Sequence, residues 1–249
     1  MLPGRTAAQL RTMRAAGRVV AEMHAAIREA ARPGVSTGQL DQIAREVLRR
    51  RDATSNFLGY HGYPAVICAS VNDEVVHGIP GERVLEDGDL LSIDCGAIID
   101  GWHGDAAFSM PIGSATPQTL RLIATADEAL AAGIGAMVVN GRLGDIGAAI
   151  EAIVSAAGFG SPRDFCGHGI GQAMHEDPDV ENRGKRGKGP AFQPGVTLAL
   201  EPMLIAGGGD AVYELDDNWT VVTADGSDAA HVEHTVVVTD NGPEILTLP

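Results

Sequence analysis

Basic residues are scarce: 18 Lys+Arg stand against 33 Asp+Glu, a net charge of −15 over 249 residues. A protein that neutralises nucleic-acid phosphates presents a basic surface, so no direct nucleic-acid binding is expected, and no docking on anionic lipid. Acidity of this kind serves solubility. Cysteine is sparse too. Cys68, Cys95 and Cys166 are an odd set without CxxC spacing, which fits neither a disulfide scaffold nor a zinc ribbon and suits a reducing compartment. Long apolar runs are missing. The start MLPGRTAAQLRTMR lacks the apolar segment of a signal peptide. The most apolar helical stretch, Ala129–Val139, is about half the ~18–20 residues that span a bilayer. The expected setting is the cytoplasm, with no membrane contact. There is no P-loop, no Rossmann glycine pattern and no GxSxG elbow. No serine or cysteine has the partners of a nucleophile.

What is present reads as a folded globular chain, 45% hydrophobic and 20% charged. Apolar spacing predicts a helix over 6–31, stopped by Arg32-Pro33-Gly34, and a second one capped by Ser36 or Thr37 that ends at Arg49-Arg50-Arg51. Ala65–Val71 is a strand, and Leu90–Ile99 with Trp102–Pro111 is a hairpin turning at Asp100-Gly101. Helices follow from Pro117 to about Met137 and over Gly144–Ala157, closed by Gly158. From Val196 the chain is strand-rich, turning at Asp216-Asp217-Asn218 and Asp240-Asn241-Gly242. The order helix, helix, strands occurs twice, which hints at an internal duplication. No linker divides the chain, so one α/β domain over 1–249 is expected. Gly184–Gly189 (GKRGKG) reads as a mobile basic loop.

Three strands carry acids in an unusual way. Asp94 shares parity with Ser92 and Gly96, Glu201 with Thr197 and Ala199, and Glu233 with His231 and Thr235. Because side chains alternate across a strand, each carboxylate points away from the apolar face. Asp105 on the hairpin's second strand shares parity with His103 and Ser109. Solvent-facing acids on amphipathic strands would give the same pattern. The histidines shift the balance. His168 sits among three glycines in CGHGIG, where the backbone can approach something closely. His175 follows seven residues later, and His77 occupies a turn in VHGIP. Four carboxylates and one imidazole suit one or two divalent ions such as Mn, Fe, Co or Zn.

On these residues the chain resembles the methionine aminopeptidases. Asp94, Asp105 (in DGWHGDAA), His168 (in FCGHGIG), Glu201 (in LEPML) and Glu233 (in HVEHTVVVTDNGPEILTL) match that family's five metal ligands in order. HGYPAVICASVNDEVVHGIP is similar to the stretch leading to its first catalytic histidine, and the similarity covers about residues 5–248. The resemblance implies an α/β "pita-bread" fold: two pseudo-symmetric halves, curved antiparallel sheet inside and helices outside. It implies two divalent metal ions per chain, one held by Asp94, Asp105 and Glu233, the other by Asp105, His168, Glu201 and Glu233. A bridging water would attack the carbonyl after an N-terminal methionine. Glu201 would shuttle the proton, His175 would stabilise the oxyanion, and His77 would contact the scissile nitrogen. Tyr60, Tyr63, Cys68 and Trp219 would form the methionine pocket, whose aromatic faces and thiol suit a thioether.

The implied substrates are free N-termini of nascent polypeptides with a small second residue, met near the ribosome by a monomeric enzyme. By the same rule Met1, ahead of Leu2, would be retained. Met174 stands where many members carry Phe, Val76 where some carry Cys, and Ala229 near a residue that helps some members bind a monovalent cation. The loop at Gly184–Gly189 is not of the commonest bacterial form. Prolidases and aminopeptidases P share the five ligands but usually add a large N-terminal domain, and here 93 residues precede Asp94. Type II enzymes insert a helical segment between the two glutamates, for which a gap of 32 leaves no room. The zinc-finger arm of eukaryotic type I enzymes is absent as well, so the compact bacterial type I form fits best. A non-catalytic binding module with this fold is the remaining alternative.

Overall fold

A computed structural model describes residues 2–249; Met1 lies outside the described residues. Helix α1 (Ala7–Ala30) begins with a capping box in which the Thr6 hydroxyl accepts from Gln9 N and the Gln9 side chain accepts from Thr6 N. Ser36 and Gln39 repeat the device at α2 (Thr37–Arg50). Strands β1 (Ile67–Val71), β2 (Glu74–Val76), β3 (Leu90–Ile99) and β4 (Trp102–Pro111) complete the first half. The β3–β4 hairpin turns at Asp100-Gly101, both at positive φ, and β1-β3-β4 form an antiparallel sheet. Met23, Ile27, Leu40 and Val47 from the helices pack with Leu91, Ile93 and Cys95 of β3.

The second half opens with α3 (Pro117–Gly135), capped by Thr116, and α4 (Leu143–Ala157), closed by left-handed Gly158. Nine strands follow: β5 (Gly167–Gly169), β6 (Glu176–Val180), β7 (Thr197–Leu200), β8 (Met203–Ile205), β9 (Val212–Glu214), β10 (Val221–Thr223), β11 (Ala229–His231), β12 (His234–Thr239) and β13 (Gly242–Ile245). Order β13-β12-β7-β5-β6 makes the second large sheet, covered by Leu122, Ala126, Ile146 and Ile150 of the helices. Two small sheets, β2-β10-β9 and β8-β11, lie alongside.

The two halves join through β4. Ala107 and Glu233 exchange both backbone hydrogen bonds, at 2.9 and 3.3 Å. The Thr235 hydroxyl accepts from Asp105 N (3.0 Å) and donates to Asp105 O (2.8 Å). Helix α1 crosses behind this seam where a Cβ on Gly17 would strike the Leu246 carbonyl. Both acids of the seam are thereby fixed by backbone.

Several expectations shift in detail. The first strand starts at Ile67 rather than Ala65, and α3 ends at Gly135 rather than Met137. HVEHTVVV is not one strand. It breaks at Val232-Glu233, so that β11 pairs with β8 while β12 pairs with β7 and β13. Glu201 stands one residue past the end of β7. The loop expected to be mobile is fastened to α4: Asp145 Oδ1 accepts from Gly187 N (2.7 Å), and Arg142 donates to Gly189 O (2.8 Å).

Candidate metal centre

The acids on the polar strand faces are buried, which excludes the alternative of solvent-facing carboxylates. Asp105 is 3% exposed and Glu233 2%, because the seam covers the face that alternation assigns to them. Opposite them on the second sheet, His168 is 6% exposed on β5. Its flanking glycines serve close approach: a Cβ on Gly167 would collide with Ala199 O, and one on Gly169 with Asp177 O. Ligand atoms of Asp105, His168 and Glu233 all lie within 4.8 Å of one another. Asp94 and Glu201 line the same void, outside that tight trio. Glu201 lies near both His168 Nε2, at 3.6 Å, and His231 Nε2, at 3.4 Å, without a hydrogen bond to either.

The void, about 80 Å³, is also lined by His77, His175, Tyr60, Tyr63, Cys68, Phe57 and Met174. Trp219 is not part of that lining. It packs edge-on against Tyr63 (4.9 Å between centroids) and His77 (6.1 Å), at the rim. The Tyr63 hydroxyl is committed to the backbone, near Ile67 O (3.0 Å) and Gly78 O (3.1 Å), which leaves its ring as wall. Tyr60 differs: its hydroxyl lies 2.7 Å from His175 Nδ1. His77 adopts φ +62°, a left-handed conformation that turns its ring out of line with β2. The His175 ring stands 4.2 Å from that of His168.

Sequence reasoning missed Phe57, Asn56 and the site role of His231. Asn56 donates to Asp105 Oδ2 at 3.4 Å and occupies the space where Gly96 has no side chain. No motif marks Asn56 or Phe57. His231 was visible by parity with Glu233.

The electrostatics of this set are one-sided. Burial, reinforced by the neighbouring carboxylates, pushes Asp94, Asp105 and Glu233 well above the usual carboxylate range, and burial pushes Glu201 up to about 8. The lining contains no Lys or Arg. Among the described residues, Asp94 Oδ1, Asp105 Oδ1 and Glu233 Oε1 have no hydrogen-bond partner. His168 Nδ1 donates to Gly169 O (2.9 Å), which fixes the tautomer and turns the Nε2 lone pair toward the acids. Burial holds this imidazole neutral, with its pKa down at about 3. Buried, unpartnered carboxylate oxygens beside a neutral imidazole fit hard-to-borderline divalent cations, whose charge would offset the repulsion.

Residues 11–240 match the sequence profile of metallopeptidase family M24. The methionine aminopeptidase 1 of Mycobacterium tuberculosis is 54% identical over 255 aligned positions, covering 100% of this chain and 96% of that protein. The crystal structure of a methionine aminopeptidase from Thermotoga maritima superposes with a TM-score of 0.97 at 38% identity, both chains being covered in full. A prolidase from Pyrococcus furiosus shares the fold alone, at 18% identity and TM-score 0.80 over 65% of its length. The chain therefore belongs to metallopeptidase family M24 and has its pita-bread fold, helices outside and antiparallel sheet within. Within M24 it falls among the methionine aminopeptidases.

Proposed function

We propose that this chain removes the N-terminal methionine from polypeptides whose second residue is small, and that residues 1–249 act as one catalytic domain. The observation that carries the reading is the set of buried, unpartnered oxygens of Asp94, Asp105 and Glu233 facing the lone pair of His168, beside an apolar pocket. Asp94, Asp105 and Glu233 would hold one divalent ion; Asp105, His168, Glu201 and Glu233 would hold a second, with Asp105 and Glu233 shared. Bound there, such ions supply Lewis acidity toward a carbonyl and an acidified water.

The chain's own residues do the rest. The substrate's methionine enters between Tyr63, Cys68, Phe57 and Met174, where flat aromatic faces and soft sulfur atoms suit a thioether. Met174 replaces the aromatic wall common in the family with an adaptable one. His77 meets the scissile nitrogen. His175 donates from Nε2 to the developing oxyanion, and Tyr60 donates to its Nδ1, so the tautomer is set before substrate arrives. Glu201, beside two neutral imidazoles, carries the proton from the attacking water to the leaving amine.

The metal identity among Mn, Fe, Co and Zn follows cellular supply rather than the donor set. Among the described residues no helix is long and apolar enough to cross a membrane. Three free cysteines suit the cytoplasm. Action on nascent chains near the ribosome, as a monomer, is carried over from the resemblance. The test compares kcat/KM for Met-Ala-Ser and Met-Leu-Ser. A large second residue must displace packed protein at about 1–3 kcal/mol, on the order of ten- to a hundredfold in rate. Equal rates, or a preference for Xaa-Pro peptides, would move the chain toward the proline-specific relatives.

A further inference from the structure

The connection from β5 to β6, Ile170–His175, carries two site residues, Met174 and His175, yet forms no regular secondary structure. A segment without a backbone ladder keeps its shape only if other groups take up its amides and carbonyls. His103 N donates to Gly171 O at 2.9 Å, and Gly171 N to Ala173 O at 3.1 Å. A single carboxylate adds two more bonds. Glu176 Oε1 accepts from Gln172 N (2.8 Å) and from Ala173 N (3.1 Å), so the residue that follows His175 reaches back over the bend that precedes it.

That carboxylate is itself gripped from the far end of the sequence. Its Oε2 accepts from Arg5 Nη2 in a close ion pair. The same nitrogen donates to Ile170 O at 3.4 Å, and Arg5 Nε donates to Thr197 Oγ1 (3.3 Å), whose hydroxyl donates to Ile170 O (2.6 Å). The guanidinium thus ties the start of the connection to its middle, and a Cβ on Gly171 would collide with it. Arg5 has little freedom of its own. Its backbone N donates to Gly195 O (2.7 Å), Gln193 donates to Leu2 O (2.7 Å), and the guanidinium carbon lies 5.5 Å from the centre of the Trp102 ring. Neither Arg5 nor Glu176 lines the void, so neither touches the substrate. An ion pair whose side chains are 14% and 22% exposed adds little to global stability, which leaves orientation as its contribution. We propose that Arg5 and Glu176 are positioning residues for the aminopeptidase reaction, holding the Ile170–His175 connection so that His175 Nε2 meets the oxyanion. The inference rests on the reading of His175 as the oxyanion donor.

The test is steady-state kinetics with Met-Ala-Ser on the metal-loaded enzyme. Arg5→Ala and Glu176→Ala are each expected to lower kcat about ten- to a hundredfold, the range of a lost charge-assisted hydrogen bond, and to change KM less than kcat. Metal content should stay at the parent level in both. Arg5→Lys, which keeps a donor and the charge toward Glu176, should recover most of the lost rate. In a His175→Ala background Arg5→Ala should cost nothing further, because its effect passes through that imidazole; a residue that merely stabilises the fold would slow both backgrounds alike. Parent-like kcat in both alanine variants, an equal loss in the two backgrounds, or no rescue by Arg5→Lys would overturn the proposal. Should the alanine variants fail to fold, Glu176→Gln decides, since it keeps an acceptor for the two amides and removes only the charge. A severalfold fall in its kcat, absent from the His175→Ala background, is then expected, and a parent-like kcat overturns the proposal. If His175→Ala itself turned over at the parent rate, the reading of His175 would fail. If it were slow while Arg5→Ala ran normally, only the positioning role would.

Discussion

Replacing Tyr60 with Phe removes one hydroxyl and keeps the ring. In the structure that hydroxyl lies 2.7 Å from His175 Nδ1, and burial raises its pKa, so it stays protonated and able to donate. If Tyr60 serves only as pocket wall, the retained ring keeps methionine binding and nothing else changes. If it sets the His175 tautomer, its loss frees Nδ1 to take the proton and lets Nε2 lose its donor role. One neutral hydrogen bond is worth about 0.5–1.5 kcal/mol, or roughly two- to thirteenfold in rate. Losing the oxyanion donor outright, in His175→Ala, costs about 10²–10³-fold in kcat. Tyr60→Phe is therefore expected to lower kcat for Met-Ala-Ser by roughly two- to thirteenfold, with KM and metal content unchanged. The double variant should be no slower than His175→Ala, because both changes act through one imidazole. A normal kcat in Tyr60→Phe, or an effect confined to KM, would refute the reasoning and return Tyr60 to the pocket wall.

Asp105→Asn should lose metal, measured by elemental analysis, together with activity, whereas His175→Ala should keep its metal; prolonged chelation should abolish cleavage and Mn, Co or Fe should restore it. Gly96→Ala should push Asn56 off Asp105, since the new methyl would enter the space of the Asn56 amide, and cost about 1–3 kcal/mol in chemical denaturation. His24 is held neutral by burial, with smaller contributions from Arg28 and His234 opposing its bond to Ala106 O, so its pKa falls from 6.5 to about 3. Below pH 6.5 the unfolded chain takes up a proton that the folded ring refuses, so stability is lost as pH falls from 6.5 toward 3. His24→Gln should keep a donor to Ala106 O and remove that loss, at most about 2 kcal/mol at pH 5 relative to its own value at pH 7; equal acid sensitivity in the two proteins, by urea denaturation, would exclude the role.

Helix starts were legible because their causes are local. Thr6 with Gln9 and Ser36 with Gln39 are complete capping signals within four residues. The β3–β4 hairpin was legible for the same reason, through its Asp-Gly turn. The segment 229–239 was not. Alternation runs through HVEHTVVV without interruption, and only β8 and β7, each taking a different part of it, break the strand at Glu233. Gly184–Gly189 was misjudged by composition: glycine and charge suggest mobility, while Asp145 and Arg142, over forty positions away, hold the loop.

The site shows the same division, and it explains why the acids were harder to weigh than to find. Parity told which face Asp94, Asp105 and Glu233 share, but parity cannot distinguish a face open to water from one closed by a second sheet. That closure comes from the reciprocal bonds of Ala107 with Glu233 and of Thr235 with Asp105, which join residues 126 to 130 positions apart. It also favours cation binding: three buried acids with unpartnered oxygens must either stay protonated, as their raised pKa values allow, or share a cation that offsets their charge. Asn56 and Phe57 complete the centre without any local signal, because their role depends on the absence of a side chain at Gly96 and on a pocket wall formed with Tyr63. A glycine that looks like a mere strand neighbour of Asp94 is thus the reason an amide can reach Asp105. Local pattern names the chemical donors; the packing of the two halves decides that they act as ligands.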